Sequence, residues 1–163
     1  MTRLEARHHP RDSELSLAAL FAGWALADEV QRRMSADGYP DVRLADGLVF
    51  QHLLAGPVTI GTLARGLSIS QQAVSKSIVD LEARGYVQRQ THPSDRRARL
   101  VSLTRRGRAA VKSARRNRAA LDEELAGRLG AGRVRKARRL LADVLEELDA
   151  GNSTRARSAR PPR

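Results

Sequence analysis

The sequence predicts a mainly helical chain with one small β-hairpin, and three observations carry that prediction. Residues 59 to 107, TIGTLARGLSISQQAVSKSIVDLEARGYVQRQTHPSDRRARLVSLTRRG, hold two short amphipathic helices, a tight turn between them and a hairpin with a charged tip. Helix-patterned stretches flank this segment on both sides, over 13–55 and 108–149. Positive charge is gathered on the hairpin and on the helix that follows it.

Taken in order, residues 1–12 are charged, contain His8-His9-Pro10 and show no periodicity, which reads as a disordered N-terminus. A helix then runs from about Ser13 to Ala36. Its apolar residues, Leu17, Leu20, Phe21, Trp24, Leu26, Val30 and Met34, cover more than one narrow face, so it needs cover on several sides and points to a partner subunit. Asp37-Gly38-Tyr39-Pro40 ends it with turn residues. Arg43 to Leu54 forms a second amphipathic helix through Leu44, Leu48, Phe50 at one edge, Leu53 and Leu54, stopped by Gly56-Pro57.

The central unit follows. The Thr59 hydroxyl can accept a free backbone N–H and so cap a helix with Ile60, Leu63 and Ala64 on one face. Leu67-Ser68-Ile69 is too short and apolar for a linker, so the next helix turns sharply and stays packed on the first. Ser70 is the N-cap of that second helix, whose apolar stripe Val74, Ile78 and Leu81 has the spacing i, i+4, i+7. Gly85 stands where a helix end wants a left-handed residue, with Tyr86 folding back on the last turn. Tyr86–Gln90 and Arg99–Leu103 have strand composition, and Pro93-Ser94-Asp95 between them is turn chemistry. Thr104 caps the next helix. Together these make a winged helix-turn-helix lobe over 56–107.

From Thr104 a long basic helix leads through Val111, Ala114, Leu121 and Leu125 to Leu129, and Gly130-Ala131-Gly132 breaks it. A last helix from Arg133 to about Leu148 carries Val134, Ala137, Leu141, Val144, Leu145 and Leu148 on one stripe. Residues 150–163 form a disordered basic tail. The apolar faces of 13–55 and 108–149 exceed what one small lobe can cover, which argues for a helical dimerisation lobe and a homodimer.

Composition narrows the function. A chain of 163 residues suits one domain or one subunit of an interlocked dimer. It lacks an apolar run of roughly 18 residues, so no membrane partner is expected. The N-terminus shows no apolar signal core, which points to the cytoplasm. With no cysteine, disulfides, zinc–thiolate sites and a thiol redox sensor are excluded. The formal charge is +12, and residues 84–118 hold twelve Arg or Lys against the single acid Asp95. Such concentration is the footprint of a polyanion partner. No G-x-S-x-G, phosphate-cradling glycine loop or HExxH is present, so an enzyme is not expected. His8, His9, His52 and His92 share neither a helix face nor a metal-ligand spacing, and neither metal nor cofactor is expected.

The run SISQQAVSKSIVDLEARGYVQRQTHPSDRRARLVSLTRRG resembles the DNA-binding lobe of the multiple-antibiotic-resistance regulator (MarR) family. The match is most specific in the wing pattern D-R-R-x-x-x-V-x-L-T-x-x-G, here Asp95-Arg96-Arg97 through Val101, Leu103, Thr104 and Gly107. It covers about a third of the chain, and the flanking helices agree in number and order. One departure is Ser68, where many members carry glycine.

The resemblance implies a homodimeric, double-stranded-DNA-binding transcriptional regulator, a repressor on an inverted-repeat operator. The second helix would enter the major groove by its N-terminal turn. There Gln71 and Gln72 offer the donor and acceptor pair that suits adenine, and Lys76 can reach guanine or a phosphate. Ser70 and Ser75 suit phosphates, as do Arg96, Arg99, Arg105 and Arg106. By the same resemblance Arg97 enters the minor groove, where narrow A·T-rich stretches concentrate negative potential, and Asp95 braces it through an ion pair. The family's release by small aromatic or phenolic anions makes such a molecule a candidate effector. Phe21, Trp24, Phe50 and His52 are the candidate ligand residues. The alternative is a non-specific basic architectural protein that binds DNA or RNA.

Overall fold

Turn chemistry sets where three of the helices stop. The computed structural model describes residues 14–91 and 99–148. Within them, α1 (Leu15–Ala36), α3 (Ile60–Leu67) and α4 (Gln71–Ala83) end in the same way. A left-handed residue stands just past each end: Gly38 (φ 90°), Ser68 (φ 54°) and Gly85 (φ 77°). The next N–H then reaches back five residues, Tyr39 to the Met34 carbonyl at 2.9 Å, Ile69 to Ala64 at 3.1 Å and Tyr86 to Leu81 at 2.9 Å. This double closure satisfies carbonyls that the helix leaves free. Ser68 thus adopts the backbone conformation for which glycine is the usual choice.

α2 (Leu44–Leu53) lies between α1 and a short strand, β1 (Val58–Thr59), that leads into α3. After α4 come β2 (Val87–Thr91), β3 (Arg99–Leu103), α5 (Arg105–Leu129) and α6 (Ala131–Glu147). The sheet has the order β1-β3-β2 and is antiparallel throughout, with Val58 opposite Val101, Val87 opposite Leu103 and Thr91 opposite Arg99. The expected two-stranded hairpin is therefore three-stranded. β1 has only two residues, too few to show a period, and it forms because β3 offers it a free edge.

The core lies where α3 and α4 meet the sheet. Leu63, Val74, Ile78, Leu81, Tyr86 and Val101 are fully buried. Tyr86 closes the end of α4 rather than opening β2, which begins at Val87. α2 departs from its expected stripe: Leu44 is 75% exposed, while Asp46, Val49, Phe50 and Leu53 are buried. Those four have the spacing i, i+3, i+4, i+7. A paired carboxylate shares the inner face, which turns Leu44 out to solvent. Phe50, expected at an edge, packs at the centre with its ring 5.8 Å from Tyr86.

The outer helices are tied by charge. Arg33 on α1 meets both carboxylate oxygens of Glu124 on α5, at 2.9 and 2.7 Å, and Glu29 at 2.7 Å. Asp37 accepts from Ser113, from Asn117 at 3.0 Å and from Arg116 at 2.7 Å. α6 starts at Ala131, two residues earlier than expected, because the break between the helices is the single residue Gly130 (φ 91°). It buries none of its residues within the subunit, and its stripe residues Leu141, Leu145 and Leu148 are exposed.

Candidate nucleic-acid interface

Both helices of the turn unit begin with a hydroxyl cap. Thr59 accepts the Thr62 N–H at 3.1 Å, and Ser70 accepts the Ala73 N–H at 3.1 Å. Each such cap is worth about 1 kcal/mol. The left-handed Ser68 then sets the entry of α4 so that Val74, Ile78 and Leu81 face inward. The opposite side is open: Ser70, Gln71, Gln72 and Lys76 are exposed and Ser75 is half-buried. The two glutamines are not equivalent. The Gln71 amide nitrogen lies 3.6 Å from the point a side chain on Gly61 would occupy, so it leans back over the start of α3. Gln72 is exposed on the outer side of the helix.

The acids of α4 are held by cations of the same subunit. Asp80 accepts from Arg84 at 2.6 Å and from Arg43 at 3.2 Å. Glu82 accepts from the Arg89 side chain at 2.7 Å and from its backbone N–H at 3.1 Å. The hydrogen bond from Arg89 draws the Glu82 carboxyl below its ordinary range. Two carboxylates that would repel a polyanion are thus neutralised on either flank of the helix.

Behind α4 lies a network of which sequence spacing indicates only one pair. Arg84, just past the helix end, donates to Asp46 at 2.7 and 3.1 Å, to Asp80 and to the Asp41 carbonyl at 2.6 Å. Asp46 also accepts the Arg43 N–H at 2.8 Å, in the manner of a capping box at the start of α2. Its proximity raises the Arg84 guanidinium further above its ordinary value. Beside it the Tyr86 hydroxyl donates to Asp41 at 2.5 Å and accepts from Arg106 at 3.0 Å. Burial, then Asp41, pushes the Tyr86 phenol up, while the Tyr86 hydroxyl holds the Asp41 carboxyl down. The one signal for this network in the sequence was the i, i+4 spacing of Asp80 and Arg84; Asp41 and Asp46 are too far along the chain to be paired by spacing.

The wing joins α5 through the V-x-L-T-x-x-G part of its pattern. Val101 and Leu103 are buried. The Thr104 hydroxyl donates to the Gly85 carbonyl at 2.7 Å and accepts the Gly107 N–H at 3.0 Å. A Cβ on Gly107 would lie 2.1 Å from the Tyr86 carbonyl oxygen, so no side chain fits there. Thr104 and Gly107 therefore serve the docking of the wing.

Asp95, Arg96 and Arg97 lie outside the described residues. Arg99 is exposed and donates across the base of the hairpin to the Thr91 hydroxyl at 2.5 Å. Arg105 is exposed, whereas Arg106 is engaged by Tyr86 and Asp41 and stacks with its guanidinium carbon 4.8 Å from the Tyr86 ring centre. Phe21 and Trp24 form an exposed edge-to-face pair at 5.7 Å, Phe50 is buried against Tyr86, and His52 is half-buried. A groove of about 320 Å³ beneath the sheet is walled by Leu53, Leu54, Pro57, Gln88, Gln90 and Arg108 among others, and none of the four candidate ligand residues lines it. Among the described residues no cluster of His, Cys, Asp or Glu could hold a metal, and no helix is long and apolar enough to cross a membrane.

Residues 41–98 match the family model described as the MarR family. Over 94 residues the chain is 31% identical to the uncharacterized HTH-type transcriptional regulator YdgJ of Bacillus subtilis, covering 58% of this chain and 55% of that one. The chain thus spans about half the length of this curated relative. Its fold is similar to that of a mutant MarR from E. coli complexed with operator DNA, at 26% identity and a TM-score of 0.60, over 80% of this chain and 94% of the other. It is similar also to the transcriptional repressor CouR bound to a 23-mer DNA duplex, at 25% identity and a TM-score of 0.65, over 83% and 92% of the two chains. The turn-and-wing lobe over residues 41–98 thus matches the MarR family, and the fold of the chain is similar to that of both DNA-bound proteins.

Proposed function

We propose that this protein is a transcriptional regulator that binds double-stranded DNA in a sequence-specific way, as a homodimer acting as a repressor on an inverted repeat. The observation that carries the reading is the outer side of α4. It combines a capped helix N-terminus with exposed Gln72 and Lys76, and both of its acids are tied to arginines of the same subunit. A helix so arranged presents donors, acceptors and positive charge to a major groove. Arg97 supplies the minor-groove contact and Asp95 positions it. Ser70, Ser75, Arg96, Arg99 and Arg105 contact phosphates. Likeness to MarR complexed with operator DNA and to CouR bound to a duplex supports this reading.

Dimerisation is supported by apolar residues left open on both outer helices, Leu17, Leu20, Phe21, Trp24 and Leu26 on α1 and Leu140, Leu141 and Leu145 on α6. A second copy covers them, and two-fold symmetry doubles the length of DNA read. A small aromatic effector acts, in this scheme, by binding one spacing of the two reading helices better than the other.

Selection of bound sequences from random duplexes with the purified protein tests the proposal. An inverted repeat with half-sites about one helical turn apart is the expected result. Tight binding with no shared sequence would instead establish a non-specific basic protein, the reading favoured by the charge of residues 84–118 alone.

A further inference from the structure

The outward stripe of α4 contains a residue that hydrogen bonding leaves unexplained. Gln72, Lys76, Val79 and Ala83 follow one another at i, i+4, i+7 and i+11, directly opposite the buried Val74, Ile78 and Leu81. All four are exposed, Val79 at 52%. A single exposed valine is ordinary on a protein surface. Its placement is what sets this one apart. On one flank the Asp80 carboxylate turns to Arg43 and Arg84, and on the other Glu82 turns to Arg89. Val79 stands between these two ion pairs, one turn beyond Lys76, on the outward face of α4.

We infer that Val79 is a specificity-determining residue that meets the 5-methyl group of a thymine in the major groove. The inference rests on the DNA-reading function proposed above. Among the bases, thymine alone displays a methyl group in that groove, and apolar side chains are its complement. A β-branched side chain on a helix keeps one strongly preferred rotamer, so the two valine methyls hold a fixed position. Gln72 and Lys76 read polar edges nearer the helix start, and Val79 reads an apolar one about 10 Å along the axis from Gln72 and about 4.5 Å from Lys76.

The test uses the selected duplex in a thymine-to-deoxyuridine scan, in which each exchange removes one methyl group and nothing else. Fluorescence anisotropy reads affinity for the wild-type protein and for Val79→Ala, with circular dichroism confirming that the exposed substitution leaves the fold unchanged. At one thymine per half-site the exchange is expected to weaken wild-type binding about fourfold, the effect of one buried methyl. Val79→Ala is expected to bind the methylated and unmethylated duplexes equally at that position. A scan that is flat for the wild-type protein, or a Val79→Ala protein with the same sensitivity, overturns the assignment while leaving duplex reading intact. If random duplexes yield no shared site at all, the DNA-reading function itself fails and the role of Val79 fails with it.

Discussion

Arg84 and Asp46 face each other at 2.7 and 3.1 Å across 38 residues of chain, joining the end of α4 to the first turn of α2. Their side chains are only 13% and 10% exposed. The end of α4 is therefore held against α2 by a charge pair largely shielded from water. Such a pair costs desolvation, but loss of one partner is costlier still.

Replacing Arg84 by alanine is expected to cost about 3–5 kcal/mol, since it strands the Asp46 carboxylate in the interior. Asp80→Asn removes a partner whose side chain is 42% exposed and should cost under about 1 kcal/mol. Urea unfolding followed by circular dichroism measures both. Equal losses would show that Asp46 does not organise this corner.

Two glycines on α5 should respond in opposite directions. Gly107→Ala forces a Cβ to 2.1 Å from the Tyr86 carbonyl oxygen and should destabilise by at least about 2 kcal/mol. Gly127 has nothing within 4 Å of the same point, so Gly127→Ala should stabilise by about 0.8 kcal/mol through helix propensity alone. Thermal unfolding of the two variants checks the pair.

Arg97→Ala is expected to weaken binding to the selected duplex at least about tenfold with the dimer intact, read by anisotropy. Neutralisation of roughly 8–10 phosphates by the dimer should make the logarithm of affinity fall by about 0.9 per contact for each tenfold rise in salt. A flat salt response would contradict the role given to the basic segment.

Trp24 on α1 is 56% exposed in the subunit, beside Phe21. If a second copy covers it, Trp24→Glu should weaken self-association roughly thirtyfold or more, the usual effect of losing an aromatic anchor. Analytical ultracentrifugation over a concentration series gives the answer. An unchanged association constant would place the interface elsewhere.

Acid should loosen the tie between α1 and α5. Hydrogen bonds from Arg32, then Arg33, lower the Glu29 carboxyl from 4.5 to about 2, and Arg33 lowers Glu124 as well. A carboxyl lowered in the folded state binds fewer protons there than in the unfolded state. Its contribution is complete above pH 4.5 and is lost as the pH falls toward 2. Both groups are solvent-facing, so the change is modest. Glu29→Gln should flatten the fall in melting temperature over that window.

What the sequence determined by itself is local. Thr59, Ser70 and Thr104 were legible as caps, Gly85 as a helix stop, and Val74, Ile78 and Leu81 as a buried stripe, because each depends on partners within a few residues. The wing pattern was legible too, as a string. Only the tertiary structure decided the rest. It paired β1 with β3, carried Asp46 inward to Arg84, set Gly107 against Tyr86 and left Val79 facing out between two ion pairs. Each of these depends on groups far apart in the chain, whose meeting is fixed by the shape of the packed core and not by spacing along the backbone.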